Sequence, residues 1–377
     1  MSKIENTKYY SKCVGNLCRG CNMCVQGKKL VMFVTGICGQ DCYYCPLSTE
    51  KKNKDKVWAN ERPILEDSEL LAECNSMRAR GCGITGGDPL SKLDRTIHYI
   101  ELLKKEYGQH FHIHLYTPLL LLTHKTMVKL YKAGLDEIRF HPEFDKPNEW
   151  VKIEQAIDFG WDVGVEIPVV PGKEKEIKQM IDYLDGKIKF LNLNELEISE
   201  TNSAELGRRD LAVKDDVSYG ISGSEELAIR LLKYCSDKKL IVHYCTSKLK
   251  DKVQLSNRIK RTAKTVKRKF DIVTPEGTLV RGAIFLRELR PGAGYRKKIQ
   301  EANKEEILKK LKILKEKIQK KYNIRDDMLE IDSLKLRIIT GPRLVKIFKQ
   351  YTRAIVEEYP TYDQMEVELR FLPVKIE

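Results

Sequence analysis

The chain has 377 residues, a charged fraction of 32% and a formal net charge of +14 at pH 7. This length suits two or three domains, and no stretch approaches the roughly 18 consecutive apolar residues that span a bilayer. The polar amino terminus has no apolar segment typical of a secretory signal. We therefore expect a soluble cytoplasmic protein without a membrane partner, whose eleven cysteines are reduced or bound to metal.

The first motif along the chain is a group of four cysteines separated by gaps of four, two and two residues: Cys13, Cys18, Cys21 and Cys24. Repeated two-residue gaps are typical of ferredoxin runs that bind a [4Fe–4S] cluster. Structural zinc is the alternative, although zinc more often takes two separate pairs of ligands. The spacing predicts a metal module over residues 1–28. Four other cysteines, at positions 74, 82, 235 and 245, are expected to be small core residues.

A predicted buried strand over residues 29–36 leads directly into a second cysteine loop. This loop carries Cys38, Cys42 and Cys45, separated by three and two residues. Three thiolates hold three irons of a [4Fe–4S] cube, and the fourth iron remains open because the loop supplies no fourth cysteine. A three-cysteine zinc or disulfide loop is the alternative. The spacing favours an open-iron cluster at the carboxyl end of a strand.

Some forty residues later, the glycine-rich stretch Arg80–Leu90 reads as a second strand followed by Gly86, Gly87 and Asp88. Two adjacent glycines let the backbone approach a ligand that any Cβ would block. The same letters occur in ordinary turns. Because they follow the three-cysteine loop, we interpret them as part of the same site.

Together, the cysteine loop, the aromatic Tyr44 before its third cysteine and the Gly-Gly-Asp stretch resemble the radical S-adenosylmethionine (SAM) superfamily. The resemblance implies that the open iron chelates the amino and carboxylate groups of SAM. It also implies that one electron from a reductant cleaves SAM to a 5′-deoxyadenosyl radical, which abstracts hydrogen from the substrate. The glycine-rich stretch and its acid would receive the methionine amine. That family usually has Glu where this chain has Asp88.

Strand and helix signals then alternate up to residue 245, which predicts βαβ units and a parallel sheet. After the first two strands, the further predicted strands cover residues 111–116, 135–141, 161–168 and 193–199. Six strands fit the partial (β/α)6 barrel that the resemblance implies. We therefore assign the chain to the α/β class, with this barrel over residues 29–245.

Polar and apolar residues alternate along these strands, so that the polar set is expected to face the barrel lumen. The predicted lumen residues are His112, His114, Tyr116, Glu137, Arg139, His141, Glu195 and Glu197. By resemblance, Arg139 would pair with the methionine carboxylate and Glu166 would hold the ribose hydroxyls. An internal ion pair between Glu137 and Arg139 is the alternative.

Beyond residue 245 the composition becomes strongly basic, with sixteen Lys and Arg against four Asp and Glu over residues 246–300. Apolar residues from Leu255 to Phe270 recur at helical spacing and leave cationic side chains on the other faces. Arg258, Arg261, Lys264 and Arg268 are therefore candidates for binding a nucleic-acid backbone. A solvated helix face is the alternative. A hairpin is predicted over 271–281.

The tail completes a basic α/β accessory domain over residues 246–377. A Lys/Glu-rich helix is predicted around 307–322, strands around 334–338 and 365–371, and a helix between them through Phe348 and Ile355.

The basic domain and the second cysteine group favour a large polyanionic substrate, so modification of tRNA or rRNA is the leading hypothesis. The overall pattern resembles uncharacterised archaeal relatives of pyruvate formate-lyase activating enzymes, and more distantly the wyosine-forming tRNA enzymes. Radical modification or activation of a protein is therefore the alternative. A non-catalytic iron–sulfur protein that binds RNA or transfers electrons would need neither the open iron nor the Gly-Gly-Asp stretch.

Overall fold

A computed structural model describes residues 3–373. Contacts divide the chain into two compact units, one ending at Arg258 and one beginning at Ile259. The boundary therefore lies thirteen residues beyond the predicted one at 245/246, inside a helix that covers Ser256–Val266. The cysteine segment predicted as a separate module over 1–28 lies within the first unit.

The first unit is built on an eleven-stranded sheet. Its strands, in chain order, are β1 (Ile4–Asn6), β2 (Lys12–Val14), β3 (Lys29–Phe33), β4 (Trp58–Ala59), β5 (Arg62–Pro63), β6 (Gly81–Thr85), β7 (His112–Thr117), β8 (Glu137–Phe140), β9 (Asp162–Val169), β10 (Phe190–Glu195) and β11 (Ile241–Cys245).

Seven of these strands are parallel neighbours in the order β3, β6, β7, β8, β9, β10, β11, so the α/β class with a parallel sheet is confirmed. The sheet has one parallel strand more than the six predicted. At one end, β3 pairs with the short strand β4; at the other, β11 pairs with β2. The curved sheet is therefore open, and the cysteine segment supplies one of its edges.

Helices of the first unit connect the strands: α1 (Arg19–Val25), α2 (Asp67–Ser76), α3 (Leu93–Tyr107), α4 (His124–Ala133), α5 (Val151–Gln155), α6 (Glu174–Leu184), α7 (Ser203–Gly207), α8 (Ser224–Tyr234), α9 (Ser247–Leu249) and α10 (Ser256–Val266), which crosses the unit boundary. A π-helical stretch over Lys250–Leu255 joins α9 to α10. The apolar faces of α3, α4, α6 and α8 bury residues such as Ile100, Leu130, Ile181 and Leu231 in one core with alternate strand residues.

The opposite face of the parallel strands is polar and buried. For β7 and β8, this agrees with the polar lumen face predicted from the alternation of polar and apolar residues. His112, His114, Glu137 and Arg139 are at most 2% exposed. The prediction was wrong for β10, which covers 190–195, so that most of the alternation used to assign its faces, over 195–198, lies beyond the strand. Its inward residues are Phe190, Asn192 and Asn194, whereas Glu195 points away and pairs with Lys214.

The second unit contains a six-stranded antiparallel sheet. Its strands are β12 (Ile272–Val273), β13 (Leu279–Phe285), β14 (Leu329–Asp332), β15 (Arg337–Thr340), β16 (Thr352–Glu358) and β17 (Glu366–Phe371), and its helices are α11 (Tyr295–Glu301) and α12 (Lys304–Tyr322). The β12–β13 hairpin confirms the predicted turn. The helix predicted through Ile355 is wrong: a 3-10 turn over Leu344–Ile347 precedes β16, whose apolar residues pair within the sheet.

Among residues 3–373, no helix is both long and apolar enough to cross a bilayer.

Candidate active site

The loop that carries Cys38, Cys42 and Cys45 follows the carboxyl end of β3, where sites of parallel barrels gather. The three thiols are partly exposed. Burial is the main cause of the raised pKa of Cys38. Burial also raises the pKa of Cys42, to about 11. The neighbouring thiolates of the loop raise both pKa values further. Because metal ligation requires thiolates, loading this loop would release protons. The backbone N–H of Gln40 already donates to Cys38 Sγ at 3.4 Å.

The Gly-Gly-Asp stretch at the end of β6 packs directly on the start of this loop. Gly87 N donates to Thr35 O at 2.8 Å, and Asp88 N donates to Ile37 O at 2.9 Å. A Cβ on Gly87 would lie 2.6 Å from Ile37 O and 2.8 Å from Gly36 O, which is closer than real Cβ atoms approach. Glycine is required here because two backbones meet, so this stretch fixes the position of the cysteine loop.

Asp88 is a fully buried acid with one oxygen satisfied and one not. Its Oδ1 accepts from Leu90 N at 3.0 Å and from the Thr117 hydroxyl at 2.8 Å. Its Oδ2 has no hydrogen-bond partner among residues 3–373. Burial raises the pKa of Asp88, and the charge of Asp88 in turn raises the pKa of Cys38. An orphan carboxylate oxygen beside the open-iron loop suits a cationic ligand such as the amine of SAM.

Tyr44 joins the cysteine loop to the end of β8. The His141 Nδ1–H donates to the Glu166 carbonyl oxygen at 2.9 Å, so its Nε2 is free to accept from the Tyr44 hydroxyl at 3.0 Å. Burial lowers the pKa of His141, which keeps the ring neutral and preserves this arrangement. Asn202 Nδ2 also donates to Tyr44 O at 3.1 Å. The loop is therefore held by a residue that follows β8 and by the residue that precedes α7.

Helix α1 lies against the polar face of the sheet. Gly20 N donates to Glu137 Oε2 at 3.2 Å, and a Cβ on Gly20 would lie 2.6 Å from Glu137 Oε1 and overlap Arg139 Nη2. Arg139 Nη2 donates to Cys18 Sγ at 3.6 Å and to Cys21 Sγ at 3.7 Å. The predicted cysteine module thus faces the barrel lumen.

The role of Arg139 in binding the methionine carboxylate stays a prediction, and in this structure its donors are directed to other groups. A guanidinium has five N–H donors, and all five are used by side chains of this chain. Nε donates to Glu137 at 2.5 Å, Nη1 donates to the Tyr116 hydroxyl and to Glu166 at 2.9 Å each, and Nη2 donates to the two thiols. The alternative, an internal ion pair with Glu137, describes what the structure contains.

Glu166 lies on the lumen face of β9 with its side chain 15% exposed. Its carboxylate accepts from Arg139, from Asn192 at 2.8 Å and from Asn194 at 3.0 Å. A carboxylate has about four acceptor sites, so one is left for a ribose hydroxyl. The role predicted for Glu166 stays a prediction.

Beneath this network, His112, His114 and Glu137 bring ligand atoms within 4.8 Å of one another. Lys29 Nζ lies 2.6 Å from His112 Nδ1 and donates to His112 O at 2.6 Å. Since an ammonium only donates, His112 Nδ1 accepts and its Nε2 carries the proton. That proton faces Glu137 and would oppose a cation, so we interpret this group as a polar network.

Sequence reasoning missed several residues that hold these sites. Thr117 and Asn202 orient Asp88 and Tyr44 across long sequence separations, and nothing local in the sequence distinguishes them. Cys245 had a usable signal, because it lies two residues after His243 and therefore on the same polar face of β11. Burial is the main cause that raises its pKa, and Cys21 and Cys24 raise it further.

The chain matches the model of the Radical SAM superfamily over residues 32–152. A protein of Methanocaldococcus jannaschii, provisionally named a glycyl-radical enzyme activating enzyme, is 38% identical, and the match covers 98% of this chain and 96% of that protein.

Two solved structures resemble this chain weakly. Streptococcus suis SuiB bound to its precursor peptide SuiA has a TM-score of 0.41 and 14% identity over 58% of this chain and 48% of that one. The radical SAM methyltransferase TsrM from Kitasatospora setae has a TM-score of 0.35 and 10% identity over 66% and 54%. This chain spans about half the length of each, and neither likeness bears on function.

Replacing Asp88 with Asn should stabilise the cofactor-free protein and weaken SAM binding. The folded pKa of Asp88 is raised, so its ionisation lowers stability as pH rises through that value. A buried amide without a partner destabilises the folded state less than a buried carboxylate without one. We therefore expect the free energy of unfolding, measured with urea at pH 7, to rise by about 1 kcal/mol. SAM affinity, measured by titration of the iron-loaded protein, should fall.

The matched control is Asp94→Asn on α3, whose side chain is 94% exposed. It should leave SAM affinity unchanged and should not raise stability, because it removes an acid from the first turn of α3 that pairs with Lys129. Unchanged SAM affinity in the Asp88→Asn protein would show that Asp88 does not receive the amine.

Proposed function

Since the chain belongs to the radical S-adenosylmethionine superfamily, we propose that it activates a protein substrate by removing a hydrogen atom from a glycine residue of that protein. The match to the Methanocaldococcus jannaschii protein carries this proposal, because it extends over nearly the full length of both chains. The name of that relative refers to activation of a glycyl-radical enzyme. It supports the protein-substrate alternative over the RNA hypothesis.

The rim of the site carries exposed apolar side chains, which favour binding of a polypeptide. Ile37, Leu120 and Leu121 are 37%, 45% and 39% exposed on loops at the carboxyl ends of β3 and β7. Leu120 packs against Gly39, next to the first cysteine of the loop. Apolar side chains at the entrance favour a peptide segment, since a phosphate backbone is bound by cationic groups.

The basic region gives the RNA hypothesis less support than its charge count indicated. Arg268 pairs with Glu330 through Nε at 2.7 and 2.8 Å. Arg258 is half-buried, and burial lowers its pKa. Lys264 is exposed. The high charge of residues 246–300 keeps RNA modification as the second candidate function.

The geometry of the site supports the following proposed assignments. Cys38, Cys42 and Cys45 would hold the [4Fe–4S] cluster, and Asp88 with the backbone of Gly86 and Gly87 would orient the methionine amine. Tyr44 and His141 would support the loop from beneath. When bound, the cluster and SAM supply one-electron cleavage of SAM to methionine and the radical that takes a hydrogen atom and leaves as 5′-deoxyadenosine. A low-potential one-electron donor is required as a partner.

Deuterium transfer would identify the substrate class. Reduced, iron-loaded enzyme and unlabelled SAM are incubated with extract from fully deuterated cells of the source organism, divided into RNase-treated and protease-treated halves. A protein substrate predicts singly deuterated 5′-deoxyadenosine in the RNase-treated half and none in the protease-treated half. The product is measured by mass spectrometry, with Cys42→Ala enzyme as the control.

The reverse pattern would overturn the protein proposal and establish the RNA candidate. A glycyl doublet in the electron paramagnetic resonance (EPR) spectrum of the RNase-treated half would further assign the hydrogen to a glycine.

A further inference from the structure

Helix α1 carries three cysteines along one face, at intervals of three residues: Cys18 at its start, then Cys21 and Cys24. Cys18 and Cys21 are 5% and 6% exposed. Gly20 allows the helix to approach Glu137 and Arg139 more closely than any other residue would. Three thiols at successive turns of a helix buried in a barrel form a site that the SAM chemistry does not use.

Two hydrogen-bond donors point at these thiols, and the carboxylate of Glu137 lies against the same helix. Arg139 donates to both Cys18 and Cys21, and Asn192 Nδ2 lies 3.4 Å from Cys21 Sγ. A buried cation and an amide donor would stabilise thiolates or an anionic thiolate cluster. The donor set therefore fits a thiolate-ligated metal site better than three neutral core cysteines.

Strand register identifies a fourth ligand. Asn192 is in register with His243 on β11, so Cys21 lies at the level of His243. Two residues further along the same face of β11 is Cys245, which packs with Val25, the neighbour of Cys24. The step from Cys21 to Cys24 along the helix therefore runs in the same direction as the step from His243 to Cys245 along β11. As a result, Cys245 lies beside the end of α1.

Cys13, the fourth cysteine of the sequence motif, occupies a different position. It lies on β2 directly opposite His243, so it is at the level of Cys21 and not of Cys24. The side chain of His243 already occupies the space at this position. Its Nε2 lies 3.1 Å from Ser11 Oγ. Cys13 is therefore separated from the end of the helix by the length of one strand repeat.

The spacing of the thiols favours a cluster over a single zinc ion. Tetrahedral zinc at about 2.3 Å from each sulfur would bring all ligand sulfurs within about 4 Å of one another. In the described part of the chain, no three thiol sulfurs lie within 4.8 Å of one another. The corners of a [4Fe–4S] cube are more widely spaced, and the two-residue gaps match cysteine runs that bind cubes.

We propose that Cys18, Cys21, Cys24 and Cys245 hold a second [4Fe–4S] cluster inside the barrel, with Arg139 as its buried cation. All four irons would have protein ligands, so this cluster would exchange electrons and would not bind SAM. The proposal does not depend on which substrate the enzyme activates. It replaces Cys13 by Cys245 in the ligand set predicted from sequence.

Iron and zinc analysis of anaerobically reconstituted protein tests the site. A protein with Cys38, Cys42 and Cys45 all changed to Ala should retain about four irons per chain and an EPR signal after reduction. Adding Cys245→Ser should remove those irons, whereas adding Cys13→Ser or Cys235→Ser should not. Cys235 is a fully buried core thiol and serves as the matched control.

The single Cys245→Ser variant separates loss of the cluster from misfolding. It should keep about four irons at the catalytic loop and the circular dichroism spectrum of the unchanged protein, which would show that the barrel is folded. Zinc in place of iron in the triple variant, or iron retained with Cys245→Ser and lost with Cys13→Ser, would overturn the proposal.

Discussion

Changing Cys38, Cys42 and Cys45 to Ala should reduce formation of 5′-deoxyadenosine to the level of a protein-free reaction. The three thiolates are the ligands that would leave one iron open, and Asp88 beside them has an orphan oxygen for the amine of SAM. Without the loop cluster, no electron reaches the sulfur–carbon bond of SAM. The measurement is chromatography of 5′-deoxyadenosine after reduction by dithionite under anaerobic conditions.

Cys235→Ala is the matched control because it removes a thiol at the end of α8 that lies in the apolar core. It should lower stability modestly and leave SAM cleavage intact. Residual cleavage in the triple variant would place the radical-generating cluster elsewhere.

Gly87→Ala should abolish most SAM cleavage without touching a metal ligand. Its new Cβ would lie 2.6 Å from Ile37 O and 2.8 Å from Gly36 O, so the backbone immediately before Cys38 has to move. Catalytic geometry tolerates little displacement, and a shift of about 1 Å can cost about a hundredfold in rate. We expect a loss of that order in the rate of SAM cleavage, together with a lower iron content.

Gly207→Ala makes the same chemical change at a position where the added Cβ meets nothing within 4 Å. Gly207 ends the helix α7, where Ala is a better helix former by about 0.5–1 kcal/mol. That variant should keep full activity and equal or slightly greater stability. Wild-type cleavage by the Gly87→Ala protein would show that contact between the two loops does not position the cluster.

These two variants test different levels of the same site. The cysteine variant tests the sulfur ligands, whose identity and spacing can be read from the sequence. The glycine variant tests how β6 fixes the loop that follows β3, which depends on two strands lying side by side. A loss in both would support the site as a unit, because neither residue substitutes for the other.

The sequence was most informative where the signal is local. Cysteine spacing in the 38–45 loop, the adjacent glycines at 86 and 87, and the period-two alternation of β7 and β8 each lie within a few consecutive residues. Their meaning depends on covalent geometry and on the pleat of a strand. They were sufficient to predict the α/β class and the family, both of which are confirmed.

The sequence was least informative where a residue's partner is distant in the chain. Arg139 has the position expected of a lumen residue, but its five donors are used by groups contributed by α1, β7, β8 and β9. In β10, the lumen face was predicted from the alternation over residues 195–198, most of which lies beyond the end of the strand at Glu195. Within the strand, the alternation gives the lumen to Asn192 and Asn194.

The sequence by itself determined that this chain has three closely spaced cysteines on a parallel α/β scaffold, because those features depend on near neighbours. Only the tertiary structure decided that α1 enters the barrel, that Arg139 serves the cysteines of that helix, and that Cys245 lies beside them. These contacts join residues separated by more than a hundred positions. The spacing of residues in the sequence does not predict these contacts, because they form only when the helix packs on the sheet.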